Sequence, residues 1–275
     1  MGTGIILSII NHKGGCGKST VTVNLADALA RTGKKILVVD MDPQSNTSSV
    51  FVPPSKMQMR YCLYEFFDKE TANIPVEALI YPTDYANIYC LPNTDDTSAL
   101  ESEIITGAPT SLQLLRDRLR GYATENFDYT ILDNPPNMGS FVYCSLFASD
   151  FVIVPIKASS VFSLKGLAKA MQRIEEVQNN GNRNLRFLRL LINMLDKRTL
   201  ISRSVLAQVK DSFDSEMIFE TSIPINTAFD RAEANLESVL RYDSACAGAK
   251  AFKDLAKELT SIIGVDGYGR AKAEA

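Results

Sequence analysis

GIILSIINHKGGCGKSTVTVNLADALARTG, from Gly4 to Gly33, is the stretch that decides the fold. Residues 4–10 form a short apolar run that reads as a buried strand. A glycine-rich loop follows, and Val21 to Gly33 then carries apolar residues at helical spacing, with Gly33 as the expected C-cap. KKILVVD, residues 34–40, is a second buried strand that ends on an acidic residue. Strand, loop, helix and strand make one βαβ unit, and such units imply an α/β fold with a doubly wound, mostly parallel sheet flanked by helices.

The loop has its own chemistry. Where a strand feeds a helix, backbone N–H groups and the helix dipole converge on an anion, and glycines let the backbone wrap a phosphate closely. Gly14, Gly15, Cys16, Gly17, Lys18, Ser19 and Thr20 are therefore the candidate nucleotide cradle. Lys18 is expected to reach the β- and γ-phosphates, Ser19 to ligate Mg²⁺ through its hydroxyl, and Thr20 to donate to the α-phosphate. Strict GxxxxGK[ST] spacing calls for glycine at position 12, which is His12 here. The loop instead reads KGGxGK[ST], with an additional lysine, Lys13, at its mouth.

That variant resembles the deviant Walker A ATPases, the ParA/Soj and MinD superfamily of P-loop NTPases. The likeness runs from Ile5 to Ile263 and takes in NIYCLPNT, FDYTILDNPPN, DFVIVPIKASSVFSLKGL and NMLDKRTLISRSV. It implies ATP and Mg²⁺ as cofactors and a homodimer that sandwiches ATP, with Lys13 crossing to the partner's nucleotide. In VDMDPQSN it implies that Asp42 positions the attacking water and that Asp40 supports the metal region. Asp133 closes the strand YTILD, the position from which a carboxylate holds Mg²⁺ through a water. Lys13, Lys18 and Asp42 are thus the catalytic candidates, and Ser19, Asp40 and Asp133 the metal candidates. Asp40 and Asp42 also admit a plainer reading as solvated turn carboxylates before Pro43. Asn134 departs from the small residue or threonine that usually precedes the two prolines in this superfamily.

The resemblance further assigns the adenine pocket to Asn193 and to Pro224 of SIPINTAF. An asparagine amide offers one donor and one acceptor face to a base edge, but asparagine is also common in turns.

Composition narrows the rest. The 275 residues hold 29 Lys+Arg against 32 Asp+Glu, a net charge of −3, so indiscriminate binding to nucleic acid by the whole chain is excluded. One histidine and five scattered cysteines without a CxxC pair supply neither a histidine metal cluster, a disulfide framework nor a zinc site. The longest apolar runs fall short of the roughly 18 residues needed to span a bilayer. A cytoplasmic, nucleoid-associated protein without a membrane partner is expected. Residues 1–263 read as one ATPase domain and 264–275 as a flexible tail.

Charge is divided unevenly along the chain. Residues 1–150 carry 11 basic and 17 acidic side chains, and residues 151–275 carry 18 and 15. Arg198, Arg203, Arg231 and Lys250 are the candidate contacts to nonspecific double-stranded DNA. Arg198 leads because DKRTLISRSV resembles the segment that supplies a DNA-contacting arginine in Soj-like relatives. A charged run is also how an ordinary solvated face looks. The long N-terminal DNA-binding extension of one subclass has no counterpart here, so the compact Soj-like form is expected.

The functional expectation is a dimerising switch ATPase that partitions or positions a plasmid, chromosome or other cargo, with hydrolysis stimulated by a ParB-like or other adaptor. A metabolic ATP-using enzyme of the same fold, or a protein-positioning scaffold indifferent to DNA, are the alternatives.

Overall fold

The computed structural model describes residues 3–53, 60–106, 109–159 and 163–265. Its centre is a seven-stranded sheet of β1 (Ile5–Ile9), β2 (Ile36–Asp40), β3 (Tyr81–Pro82), β4 (Ile88–Leu91), β5 (Tyr129–Asp133), β6 (Phe151–Lys157) and β7 (Arg186–Asn193), in the order β3-β4-β2-β5-β1-β6-β7. Every pairing is parallel except β3 with β4 at the edge. β1, β2 and β5 are buried along their whole length, as strands covered by helices on both faces must be.

Successive strand residues serve opposite faces. Ile5, Leu7, Ile9, Ile36, Val38 and Ile131 pack beneath α1 (Lys18–Ala30) together with a long C-terminal helix, Ala247–Val265. Ile6, Leu37, Val39 and Leu132 face α3 (Leu63–Phe67), α5 (Leu114–Asn126) and α6 (Ser140–Ala148). Beyond β1, Val152, Val154, Ile156, Leu190 and Ile192 join α6, α7 (Ser163–Asn179) and α8 (Leu200–Ser212). The remaining helices are α2 (Asn46–Phe51), α4 (Glu101–Thr106), α9 (Thr227–Ala234) and α10 (Val239–Tyr242), which makes the C-terminal helix α11. The described residues between 51 and 110 are broken into short helices, 3-10 turns and the β3–β4 edge pair, in keeping with the prolines there.

The parallel register brings Ile9, Asp40 and Asp133 level with one another at the carboxyl ends of β1, β2 and β5. The chain passes from β1 to β2 on one side and later from β5 to β6 on the other side of β1, so this end of the sheet is the switch point where open α/β folds gather ligands.

Two expectations need correction. MIFETSIPI reads as a strand, but residues 217–225 form no continuous ladder: they make isolated parallel bridges, Leu190 of β7 to Ile218 and, past the end of β7, Leu195 to Pro224, and the Phe219 and Ile223 N–H groups donate to the Leu190 and Ile192 carbonyls. Between the bridges, the N–H groups of Glu220 and Thr221 donate to the two carboxylate oxygens of Glu258 on α11, at 2.8 and 2.9 Å, and leave the ladder. The second correction concerns the tail: α11 continues through Val265, two residues past the expected boundary, and residues 266–275 lie outside the described residues. Gly33 takes φ 88° two residues beyond the observed cap, Arg31.

Candidate functional site

The loop between β1 and α1 is built on side-chain anchors. Asn11 donates from Nδ2 to the Pro155 carbonyl of β6 at 2.7 Å and accepts the Lys13 N–H at 2.9 Å, so the loop leaves the sheet at a fixed angle. Gly15 and Gly17 hold φ of 68° and 84°, where L side chains are strained. Gly17 is the N-cap of α1 and offers no side-chain cap, so the first-turn N–H groups remain to receive an anion. Gly14, Gly15, Gly17, Lys18, Ser19 and Thr20 line one cavity of about 390 Å³, and Lys18 is only 7% exposed. Cys16 is buried behind the loop, and burial pushes its thiol pKa up. His12 points outward, with its Nε2 3.0 Å from Nζ of Lys169.

The three carboxylates part company. Asp133 is fully buried behind Ser19, whose hydroxyl hydrogen-bonds it. Thr47 of α2 donates to Asp133 Oδ2 at 2.6 Å, while Oδ1 has no hydrogen-bond partner. Burial holds the Asp133 carboxyl above the usual carboxylate range. Asp42 lines the cavity and accepts the Gln44 N–H at 3.0 Å. Asp40 is neither a solvated turn residue nor a face of the cavity. Its Oδ2 takes the N–H and the hydroxyl of Ser48 at 2.8 and 2.7 Å, and its Oδ1 takes the Asp42 N–H at 3.1 Å. Asp40 therefore braces α2 and the turn to Asp42. Burial, and then the neighbouring Asp133, push its carboxyl upward as well.

Asn193 and Pro224, the residues expected at the base, lie in different surroundings. Asn193 is 3% exposed, donates from Nδ2 to the Cys16 carbonyl at 2.8 Å and accepts the Met194 N–H on Oδ1 at 2.9 Å. Its amide is engaged with the loop, and its neighbour Met194 faces the cavity instead. Pro224 lies on a different cavity with Leu195, because its bridge to Leu195 carries it past the sheet edge. The end of the cavity away from the loop is made by Val23, Asn24, Val50, Phe229, Glu233 and Glu237. None of these was singled out in the sequence. A phenylalanine in an amphipathic helix, or a glutamate on its outer face, carries no local mark of a ligand.

Of the four cationic candidates, Arg198 and Lys250 share that second cavity, which also presents Lys197, Asp196 and Asp254. The Arg198 side chain is 86% exposed and grips Asp196 with two bonds of 2.8 and 2.9 Å. Those bonds hold the Asp196 carboxyl down to about 2. Arg203 on α8 and Arg231 on α9 are exposed but do not line it. Leu200 and Ile201 lie beside Arg198, 76% and 56% exposed.

Among the described residues no group of three or more His, Cys, Asp or Glu side chains assembles to hold a metal. A magnesium site retains several waters and needs only one or two protein oxygens, so the Ser19–Asp133 arrangement is its own kind of candidate. No helix among the described residues is long and apolar enough to cross a membrane.

Known proteins are similar to this chain. A family described as an AAA domain matches residues 4–187. The chromosome-partitioning ATPase Soj of Thermus thermophilus is 35% identical over 94% of this chain and 96% of its own length. The sporulation initiation inhibitor protein Soj of Bacillus subtilis is 32% identical over 94% of this chain and 99% of its own. Among solved structures, cobyrinic acid a,c-diamide synthase from Mycobacterium smegmatis, crystallised with an ATP analogue and magnesium, superimposes with a TM-score of 0.77 at 26% identity and 94% coverage of both chains.

Proposed function

The chain belongs to the ParA/Soj family of partition ATPases, and from that premise we propose that it is an ATP-driven switch. ATP with Mg²⁺ closes a homodimer, the dimer binds duplex DNA without reading sequence, and hydrolysis stimulated by a ParB-like or other adaptor releases it. The working place is the cytoplasm, on the nucleoid, and the cargo is a plasmid, a chromosome or a protein assembly.

The observation that carries this reading is the glycine loop of Gly14 to Thr20 with Lys18 sunk at the cavity wall and Asp133 behind Ser19. A diphosphate or triphosphate fits such a wall, since Lys18 and the open first turn of α1 both supply positive potential. Magnesium fits too. Asp133 has one buried oxygen without a partner beside the Ser19 hydroxyl, and hard cations prefer oxygen ligands. Ser19 would hold the ion and Asp133 would fix it through a water. Bound there, the ion offsets phosphate charge during transfer.

The rest of the work falls to this chain's own residues. Lys18 holds the phosphates, and Asp42, at the cavity, orients the water that attacks in line. Lys13 reaches the nucleotide of the second protomer and neutralises charge there, which makes dimer and bound ATP one state. Doubling a weakly cationic surface by dimerisation raises DNA affinity through effective concentration, so DNA binding becomes ATP-dependent.

A metabolic reading has one observation in its favour, the likeness to a diamide synthase. It predicts ATP turnover that waits for a small molecule.

The test is duplex-DNA binding at several salt concentrations with ATP, ADP or no nucleotide. Native protein should bind only with ATP, and log affinity should fall with log salt by about 0.9 per phosphate contacted. Lys13→Ala and Arg198→Ala should each lose the ATP-dependent binding. Equal or absent binding in every nucleotide state rejects the DNA switch in favour of a scaffold or a metabolic ATPase.

A further inference from the structure

The loop cavity is cationic at one end and acidic at the other. Lys18 and the open first turn of α1 stand at the loop, and Glu233 and Glu237 line the far end. The two carboxylates differ. Glu237 is half-buried and paired with Arg241 at 3.4 Å, and the Arg241 guanidinium lies over the Tyr85 ring. Glu233 is exposed, and among the described residues its carboxylate has neither a hydrogen bond nor an ion pair. An ionised carboxylate is acceptor-only, so what Glu233 can take from a ligand is O–H or N–H donors.

The turn that carries both glutamates is fixed before anything binds. The N–H groups of Leu236 and Glu237 close on the Glu233 and Ala232 carbonyls, each at 2.9 Å, and Leu236 holds φ 53°. Ser238 gives its N–H to the Tyr85 hydroxyl at 3.0 Å and its own hydroxyl to Asp27, and the Val239 N–H goes to Asn24 Oδ1 at 2.7 Å. Asp27 and Asn24 belong to α1, so the turn is docked on that helix. Asn24 stands one turn along α1 from Thr20, donates from Nδ2 to the Thr20 carbonyl at 2.7 Å, and lines the cavity with it. Thr20 is the residue expected at the α-phosphate, and in a nucleotide the ribose follows the α-phosphate through one ester oxygen. A helical turn advances about 5.4 Å, a step comparable with that from the α-phosphorus to the hydroxyl edge of the sugar.

We infer that Glu233 reads the sugar of the nucleotide: its carboxylate accepts the 2′- and 3′-hydroxyls, so the cavity prefers ribonucleotides to deoxyribonucleotides. The inference rests on the reading of this cavity as a nucleotide site. A vicinal diol presents two O–H donors to the two oxygens of one carboxylate, and an acidic residue on the ribose hydroxyl is how dinucleotide folds hold their sugar. The polarity of the cavity acts in the same sense. A polyanion is drawn to the Lys18 end and repelled from the Glu233 end, which leaves the uncharged sugar to the carboxylate.

Full-length protein with Mg²⁺ is titrated with ADP, 2′-deoxy-ADP and 3′-deoxy-ADP, diphosphates that keep the measurement free of turnover. Binding of none of them overturns the nucleotide-site reading and this inference with it. Native protein should bind ADP about tenfold more tightly than either deoxy compound, as loss of a hydrogen bond to a charged group implies. Equal affinities overturn the inference and leave the nucleotide-site reading standing. Glu233→Ala should bring ADP down to the level of the deoxy compounds and leave those two within twofold of native. A change that falls alike on all three overturns the inference, because that is the pattern of a base contact or of plain charge repulsion. Glu237→Ala should keep the sugar preference; loss of the preference there, with Glu233→Ala unaffected, overturns the assignment to Glu233. Should Glu233→Ala fold poorly, the native comparison of ADP with its deoxy analogues still decides.

Discussion

β7 ends in one site and leads directly into another, and the two are opposites in construction. At its last residue lies the loop cavity, where Lys18 is buried in the wall and Asp133 and Asn193 are buried behind it, bonded to Thr47 and to the Cys16 carbonyl from far along the sequence. Five residues later Arg198 stands on an exposed corner with Leu200 and Ile201, tied only to Asp196 two positions before it. The cavity is organised before anything binds, so each group in it acts at low dielectric and full strength. The Arg198 guanidinium at this corner is held by a surface ion pair, a type of contact that contributes roughly 0–1 kcal/mol. The switch proposed above would need both kinds: the first for tight nucleotide recognition in one protomer, the second for DNA binding that stays weak until two copies combine.

The sharpest way to break the contrast is to remove charge from the cavity. Lys18→Ala should reduce ATP affinity by at least ~100-fold, equivalent to ~2.7 kcal/mol, measured by calorimetric titration, with DNA binding lost in every nucleotide state as a secondary effect. Undiminished ATP affinity would show that the cavity has been misread. Next in size is Asp133→Asn, which keeps the shape of the residue behind Ser19 and removes its charge. As an outer partner of the metal it should cost ~10–100-fold in Mg²⁺ dependence or turnover, read by phosphate release across a magnesium series. ATP-independent folding should survive, because Thr47 can still donate to the amide oxygen. Turnover within twofold of native would remove Asp133 from the metal's surroundings.

These two residues are also the part of the site that was legible beforehand. Lys18 follows a glycine loop between a strand and a helix, and Asp133 ends an apolar strand; both signals are local and periodic. The fold shared that advantage, since β1, α1 and β2 announce themselves through spacing alone. What escaped was whatever depends on contacts far along the chain. Thr47 meets Asp133 across 86 residues and Asn193 meets Cys16 across 177, and nothing near any of them signals the partner. Asp40 reads as a site carboxylate until Ser48 is seen to satisfy it. Residues 217–225 have the apolar content of a strand, yet Glu258 takes the N–H groups of Glu220 and Thr221 out of the ladder. In each case a polar side chain, chosen by tertiary packing, overrides a reading made from neighbours in sequence.

The smallest expected effect sharpens the other side of the comparison. Asp196 spends both its oxygens on Arg198, and the guanidinium holds its carboxyl at about 2, well below the usual range. A depressed carboxyl pKa means that whatever the pair contributes is present above the unfolded-state value and lost only as pH falls toward the folded one. The pair is therefore intact throughout pH 5–8, and any change of DNA affinity in that range has another source. Asp196→Asn should leave the melting temperature within about a degree or two, as expected for an exposed pair. It also frees Arg198 and, by removing a carboxylate, raises by one the net charge of the corner shared with Lys197 and Lys250. ATP-dependent DNA binding should then strengthen a few-fold, and the slope of log affinity against log salt should steepen by up to about one per protomer. Weaker binding would give Asp196 a different part: the carboxylate would be aiming Arg198 at the phosphate, and the exposed corner would be as preorganised as the buried cavity.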